Sequence, residues 1–235
     1  MTLKSPTNFE DSKSEFNSVF SDCIRIIDEL NNAFLSASCN KLKDILSLSG
    51  VGILYSCWER LFRIGCSIGI RLAINSNKLF NCNSRFKKAA FISKEPFFKS
   101  FIDKTKSVSL DFSGTSFNSK GTMLRGLEDF LSKIAEFNSC SLDASDYVIT
   151  FSNVNIEILG INADFLGFKD FKEFEKIRKG TLDELVGLRN DLAHGGTSKG
   201  PGEKKFIELI NFTKLLLTDF QSCMDKWYLD LSELQ

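Results

Sequence analysis

Residues 42–76 are apolar on nearly every side of a helical projection, and this stretch constrains the fold more than any other. The polar stripe that interrupts it is narrow and consists of Ser56, Glu59, Arg60, Arg63, Ser67 and Arg71. A helix that is apolar around most of its circumference has to be enclosed by other elements. The stretch therefore predicts the long central helix of a bundle. Gly65 and Gly69 lie one turn apart, where a second helix could approach closely.

Three further segments carry apolar residues every three or four positions, which is the period of an amphipathic helix. They span residues 9–37, 122–138 and 203–231. The chain of 235 residues contains only three prolines, which also favours helices. We therefore predict an all-α helical bundle that forms one domain over residues 9–235, preceded by a flexible tail of residues 1–8.

Two regions have no clear period. Residues 77–121 form a less regular insertion that is rich in Ser, Asn, Lys and Phe. Residues 147–165 are ambiguous, because 147–151 favour a strand by composition and 153–159 favour a short helix.

The insertion also contains the most basic part of the chain. Its basic residues alternate with phenylalanines and include Arg85, Lys87, Lys88, Lys94 and Lys99. Basic side chains bind phosphates and aromatic faces stack on bases, so these five residues are weak candidates for RNA binding. The alternative is an ordinary solvated face whose phenylalanines belong to the core.

The overall charge excludes a general electrostatic attraction to nucleic acid or to a membrane, because 30 basic residues balance 30 acidic ones. Seven cysteines form no CxxC pair and the chain has one histidine, so we expect no metal site and no cofactor. The cysteine usage suits the reducing cytoplasm. No signal peptide is visible, and the longest apolar run is too short to cross a bilayer, so we predict a cytoplasmic protein without membrane contact.

The sharpest local feature is the segment from Thr181 to Gly196, which contains that single histidine, His194. Thr181 and Glu184 have the spacing of a capping box, which predicts a short helix over residues 182–194. A helical projection places Arg189 in the middle of an apolar face made by Leu182, Leu185, Val186, Leu188 and Leu192. A guanidinium in that position is costly unless something pairs with it.

The residues Arg189-Asn190-Asp191-Leu192-Ala193-His194 resemble the Arg-x4-6-His motif of the HEPN family, in which a polar residue often follows the arginine. Tyr55-Ser-Cys-Trp-Glu-Arg-Leu-Phe62 is similar to the "WE-x-x-F/L" helix of microbial HEPN proteins. The resemblance covers roughly residues 15–76 and 122–230. It implies an all-α HEPN-like bundle, a homodimer and metal-independent cleavage of RNA to a 2′,3′-cyclic phosphate and a 5′-hydroxyl.

Such cleavage needs a proton acceptor, a proton donor and positive charge on the phosphate. Histidine can transfer protons near neutral pH, and arginine binds phosphate oxygens with two parallel hydrogen bonds. We therefore assign catalytic roles to Arg189, His194 and Asn190 and supporting roles to Glu59 and Asp191. Since one histidine cannot easily act as both acid and base, a dimer would bring two His194 side chains into one cleft.

Other interpretations of these residues stay open. His194 could simply cap the C-terminus of a helix, where a cation is favoured by the dipole. Arg189 could belong to a buried ion pair, and Glu59 could pair with Arg63 on the surface rather than orient Arg189.

The leading functional hypothesis is a HEPN endoribonuclease that acts as a toxin or an antiviral defence effector, with an antitoxin or a defence protein as a possible partner. The alternative is a non-catalytic HEPN dimer that binds RNA, a nucleotide or a partner protein. A third possibility is a toxin silenced by modification of a tyrosine two residues after the histidine. Gly196 occupies that position here, which argues against this mechanism.

Overall fold

The computed structural model describes residues 8–75, 148, 150, 153–167, 171–195 and 199–233. These residues form helices joined by short connections, and none of them lies in a strand. The helices are α1 (Phe9–Leu35), α2 (Asn40–Asn75), α3 (Ile156–Leu166), α4 (Phe171–Ala193) and α5 (Glu203–Glu233). The predicted all-α fold class is confirmed.

Helix α2 is the central element, as its composition predicts. It packs against α1, α4 and α5, and α5 also packs against α1 and α4. The middle of the core is aromatic: Trp58 of α2 stacks on Phe174 of α4 at 6.3 Å and meets Phe220 of α5 edge-on at 5.2 Å. Burial of such large apolar side chains is the main source of stability for a bundle of this kind.

Gly65 and Gly69 of α2 permit close helix packing, as predicted. A Cβ atom on Gly65 would lie 2.7 Å from the ring of Phe16 in α1. One turn later, a Cβ atom on Gly69 would overlap the indole ring of Trp227 in α5. The Tyr228 hydroxyl donates a 2.7 Å hydrogen bond to the carbonyl oxygen of Gly65, which fixes the α2–α5 contact.

The start of the helix that carries the motif differs from the prediction. Helix α4 begins at Phe171 and continues through Gly180, so the predicted start at residue 182 and its capping box at Thr181 are wrong. Tertiary contacts explain the difference. Phe174 is buried against Trp58, and Arg178 pairs with Asp219 of α5 at 2.5 Å. These contacts stabilise the turns before Gly180 by more than the cost of about 1 kcal/mol that a helical glycine carries.

The ambiguous region before α4 contains a helix that is longer and later than residues 153–159. Helix α3 starts after Asn155, whose side chain accepts a hydrogen bond from the backbone of Ile158, and it ends at Gly167 in the left-handed conformation. Val148 and Thr150, the two described residues of the predicted strand, are not in a strand. The insertion at 77–121 and the predicted helix at 122–138 lie outside the described residues.

Two smaller features are the N-terminal tail and the cysteines. Asn8, which was predicted to belong to the tail, caps α1 by accepting from Asp11 N at 2.9 Å. Cys23, Cys57 and Cys66 are buried, and Cys223 is half-buried. No helix in the described part of the chain has the length and apolarity needed to cross a membrane.

Candidate functional site

Arg189 lies on the α4 face that meets α2, and its guanidinium is half-buried over an aromatic ring. The guanidinium carbon is 5.1 Å from the centre of the Tyr55 ring of α2. The Nη1 atom donates to Asn153 Oδ1 at 2.9 Å and to Asn190 Oδ1 at 3.1 Å. In the described residues the charge is therefore held by an aromatic face and two neutral amides rather than by an internal ion pair.

The segment before α3 is fixed by α2 on both sides of Val154. The Tyr55 hydroxyl accepts from Val154 N at 2.9 Å, and Trp58 Nε1 donates to Val154 O at 2.8 Å. The Val154 side chain itself is fully buried. Asn153, which precedes it, is consequently held in register beside Arg189. Tyr55 thus supports the guanidinium directly with its ring. Tyr55 and Trp58 together also support it indirectly, because they hold the segment that carries Asn153.

Burial raises the pKa of Tyr55, with the nearby charge of Glu59 adding to the rise, while the Val154 amide and Arg189 act in the opposite direction. A phenol held above its ordinary pKa of about 10 stays protonated at neutral pH. The neutral hydroxyl can therefore accept from Val154 N without placing a negative charge beside Arg189. Tyr55 therefore adds no charge of its own to the site.

The hydrogen-bond chemistry of a guanidinium decides how the two amides are oriented. Arginine has donors only, so Asn153 and Asn190 must present their oxygens to it, and their NH2 groups point elsewhere. The Nε and Nη2 atoms of Arg189 have no hydrogen-bond partner among the described residues. The donors on this Nε–Nη2 edge of the guanidinium are suited to an anion with two neighbouring oxygens, such as phosphate.

His194 follows directly on the last residue of α4. Its backbone N donates to Asn190 O at 3.0 Å, and Gly195 then turns the chain away in the left-handed conformation with φ of 71°. The imidazole is exposed and makes no hydrogen bond with the residues that the structure describes. Asn190 links the two motif residues, because its side chain contacts Arg189 and its carbonyl contacts the His194 backbone.

The two residues with predicted supporting roles lie near this group without joining it. Glu59 is half-buried one turn after Tyr55, but the hydrogen bonds to Arg189 in the described residues come from Asn153 and Asn190. Asp191 is exposed on the far side of the helix. The alternative pairing of Glu59 with Arg63 is not formed within salt-bridge distance, whereas the adjacent Arg60 lies 3.5 Å from Asp22 of α1.

Sequence reasoning missed Tyr55 and Asn153 as parts of the site. Tyr55 begins the Tyr55–Phe62 stretch that is similar to a helix of microbial HEPN proteins, so the sequence does contain a signal for it. Asn153 carries no signal, since it precedes a helix without capping it, and only the tertiary structure places it near Arg189. The candidate RNA-binding residues Arg85, Lys87, Lys88, Lys94 and Lys99 lie outside the described residues.

No group of three or more His, Cys, Asp or Glu side chains in the described segments is arranged to hold a metal ion.

Comparisons with known proteins give one result. The sequence profile described as RiboL-PSP-HEPN matches residues 18–226, which is most of the chain and includes both the Tyr55 stretch and the Arg189–His194 motif. No curated protein and no solved structure matches the chain. The profile match over this range shows that the chain is a member of the HEPN family.

Proposed function

We propose that the protein is a metal-independent endoribonuclease. The observation that carries the proposal is the setting of Arg189, which has no carboxylate partner among the described residues and lies five positions before the exposed His194 at the end of α4. Family membership supports it, because HEPN domains are often ribonucleases. A binding site for a phosphodiester and a group that can transfer protons are the minimum that RNA cleavage requires.

In this mechanism the free Nε–Nη2 edge of Arg189 binds two oxygens of the scissile phosphate. A base removes the proton of the 2′-hydroxyl, the 2′-oxygen attacks phosphorus, and the bond to the 5′-oxygen breaks. An acid returns a proton to that 5′-oxygen, which leaves a 2′,3′-cyclic phosphate and a 5′-hydroxyl. Arg189 and the Asn190 amide stabilise the negative charge that builds up on the phosphate oxygens.

The two proton transfers point to a homodimer. Each chain contains one histidine, and an acid and a base are needed on opposite sides of the phosphate. In a twofold cleft, His194 of one chain would act as the base and His194 of the partner subunit as the acid. We propose this arrangement together with the activity.

The test is cleavage of an end-labelled RNA in EDTA by the wild-type protein and by His194→Ala. We expect cyclic phosphate ends from the wild type and a loss of cleavage of at least about 100-fold in the variant, the lower range of general acid–base contributions. Because His194 is exposed, the variant should keep the wild-type melting temperature. Asp183→Ala, another exposed change on α4, is the matched control and should cleave normally.

A second candidate function is a non-catalytic HEPN dimer that binds RNA, a nucleotide or a partner protein. The observation that favours it is the lack of any hydrogen bond orienting the His194 ring among the described residues. Intact RNA that nevertheless binds to the wild-type protein would support this function and contradict the nuclease.

The biological role that we attach to the nuclease is that of a toxin or an antiviral defence effector in the cytoplasm, with an antitoxin or defence protein as a possible partner. Induced expression should then arrest growth of a bacterial host with wild-type protein and not with His194→Ala. Normal growth at equal protein levels, together with RNA cleavage in vitro, would contradict the toxin role and leave the nuclease activity standing.

A further inference from the structure

We propose that Asn153 binds the RNA phosphate directly, in addition to holding Arg189. This inference rests on the proposed function and adds a second phosphate-binding side chain to the site. Asn153 comes from the segment before α3, not from the helix that carries the motif. The site would therefore be assembled from two separate parts of the chain.

The first argument is the direction of its amide. The Oδ1 atom of Asn153 accepts from Arg189 Nη1 at 2.9 Å, and this partner fixes which end of the amide faces the guanidinium. The Nδ2 group must then point away from Arg189. It has no hydrogen-bond partner among the described residues, although the side chain is half-buried. A partly buried donor without a partner, next to a cation, is suited to an anionic ligand.

The second argument is that the backbone next to Asn153 is fixed by hydrogen bonds, although Asn153 lies outside a helix. The residue after it, Val154, is bonded through N to Tyr55 and through O to Trp58. Such fixation reduces the entropy lost when a ligand binds, which is the advantage of a preorganised site.

The third argument compares the two asparagines of this segment. Asn155 uses its oxygen for a backbone N–H at 2.9 Å, which is a structural role. Asn153 uses its oxygen for the guanidinium of the candidate site at the same distance. The two residues therefore provide a matched pair, since the same substitution should affect stability at one position and ligand binding at the other.

The experiment measures binding of a short RNA that carries 2′-O-methyl groups throughout, because this probe cannot be cleaved by its own 2′-hydroxyl. We compare Asn153→Ala in the wild-type protein and in Arg189→Ala, at low salt so that weak phosphate binding is measurable. Direct contact predicts that Asn153→Ala weakens binding several-fold in both backgrounds. If Asn153 acted only by holding Arg189, the change would have no further effect once Arg189 is gone.

Two additional variants separate binding from folding. Asn153→Asp keeps an acceptor for Arg189 but replaces the free NH2 donor by negative charge, so it should weaken RNA binding about 10-fold or more without lowering the melting temperature, consistent with a loss of about 1.4 kcal/mol. Asn155→Ala should lower the melting temperature, by the loss of a helix cap, and leave RNA binding unchanged.

Wild-type affinity in Asn153→Asp, or no effect of Asn153→Ala in the Arg189→Ala background, would overturn the inference and leave the proposed nuclease intact. If the wild type binds the probe but does not cleave ordinary RNA, the proposed nuclease fails, and the binding comparison still decides the role of Asn153. A wild-type protein that does not bind the probe at all contradicts the inference directly.

Discussion

At the scale of single residues, the setting of Arg189 is unusual because a half-buried charge is supported without a carboxylate in the described part of the chain. In a buried ion pair, a carboxylate would occupy the donors of the guanidinium and few would remain for a ligand. The ring of Tyr55 and the oxygens of Asn153 and Asn190 instead hold one end of it, and no described residue accepts a hydrogen bond from Nε or Nη2. This arrangement makes the charge available to a phosphate.

The shape of the arginine should therefore matter as much as its charge. We expect Arg189→Lys to lose about 100-fold or more in RNA cleavage, since an ammonium cannot bridge two amides and present a second pair of donors to phosphate. The measurement is kcat/KM with the same labelled RNA. Arg178→Lys on the same helix is the control, because a point charge can still pair with Asp219. Equal activities in Arg189→Lys and wild type would contradict the role of the guanidinium fork.

The residues of the candidate site divide clearly into those that the sequence identifies and those that it does not. Arg189, Asn190 and His194 are close in sequence, and the resemblance to the Arg-x4-6-His motif identifies them. Tyr55 and Asn153 come from other elements, and their proximity depends on how α2 packs against α4 and against the segment around Val154. Residue periodicity describes a single element and contains no information on such contacts.

At the scale of elements, α2 depends on its glycines at the crossing with α5. The Trp227 indole that covers Gly69 is fixed by a 3.0 Å hydrogen bond from Nε1 to Leu166 O, so the ring cannot easily move aside.

We therefore expect Gly69→Ala to destabilise the fold by about 1–3 kcal/mol or more, through overpacking. Gly52→Ala is the matched control on the same helix, because a Cβ atom there meets nothing within 4 Å. It should stabilise the protein by about 0.5–1 kcal/mol, the helix propensity difference. Urea unfolding at constant m-value gives both numbers. A stable Gly69→Ala would show that the two helices can separate at little cost.

The contact between α5 and α1 contains a carboxylate that should make stability depend on pH. Burial raises the pKa of Asp225, and Lys13, 3.7 Å away, opposes the rise only in part. The Oδ1 atom of Asp225 is buried without a hydrogen bond in the described structure. A carboxyl whose pKa is raised in the folded state destabilises that state at pH values above the folded pKa, where it is ionised.

Asp225→Asn should therefore raise the melting temperature at pH 7. The gain should shrink as the pH falls through the folded pKa and disappear below the unfolded value of about 4, where the wild-type carboxyl is protonated in both states. Melting curves between pH 3 and pH 8 test this sign, with Asp183→Asn as a control for removing an exposed charge. A gain that grows toward acid pH would show that Lys13 dominates and that the pKa is lowered instead.

At the scale of the whole molecule, the all-α fold follows from residue patterns because the three long helices α1, α2 and α5 each bury apolar residues along most of their length. The boundaries of α3 and α4 do not follow, since Asn155 caps one helix and the packing of Phe174 and Arg178 extends the other through Gly180. Local signals at Thr181 were correct for an isolated helix and were overridden by neighbours from α2 and α5.

The proposed dimer leads to a prediction about mixed subunits. Wild-type protein that exchanges subunits with an excess of His194→Ala should lose most of its activity, because a mixed dimer holds one histidine in its cleft and therefore lacks either the acid or the base. RNA cleavage before and after exchange is the measurement, and sedimentation velocity reports the association state. A fully active monomer at the assay concentration would contradict the shared cleft.

The two hydrogen bonds around Val154 have a consequence for comparing chains of this kind. Inserting one residue between Asn153 and Val154 would put the new residue in the place next to Val154 and move Asn153 away from Arg189. Such a chain would keep every letter of its Arg-x4-His signature and still lose the amide that steadies the arginine. The signature alone would not reveal this loss, whereas the position of the asparagine relative to Val154 would.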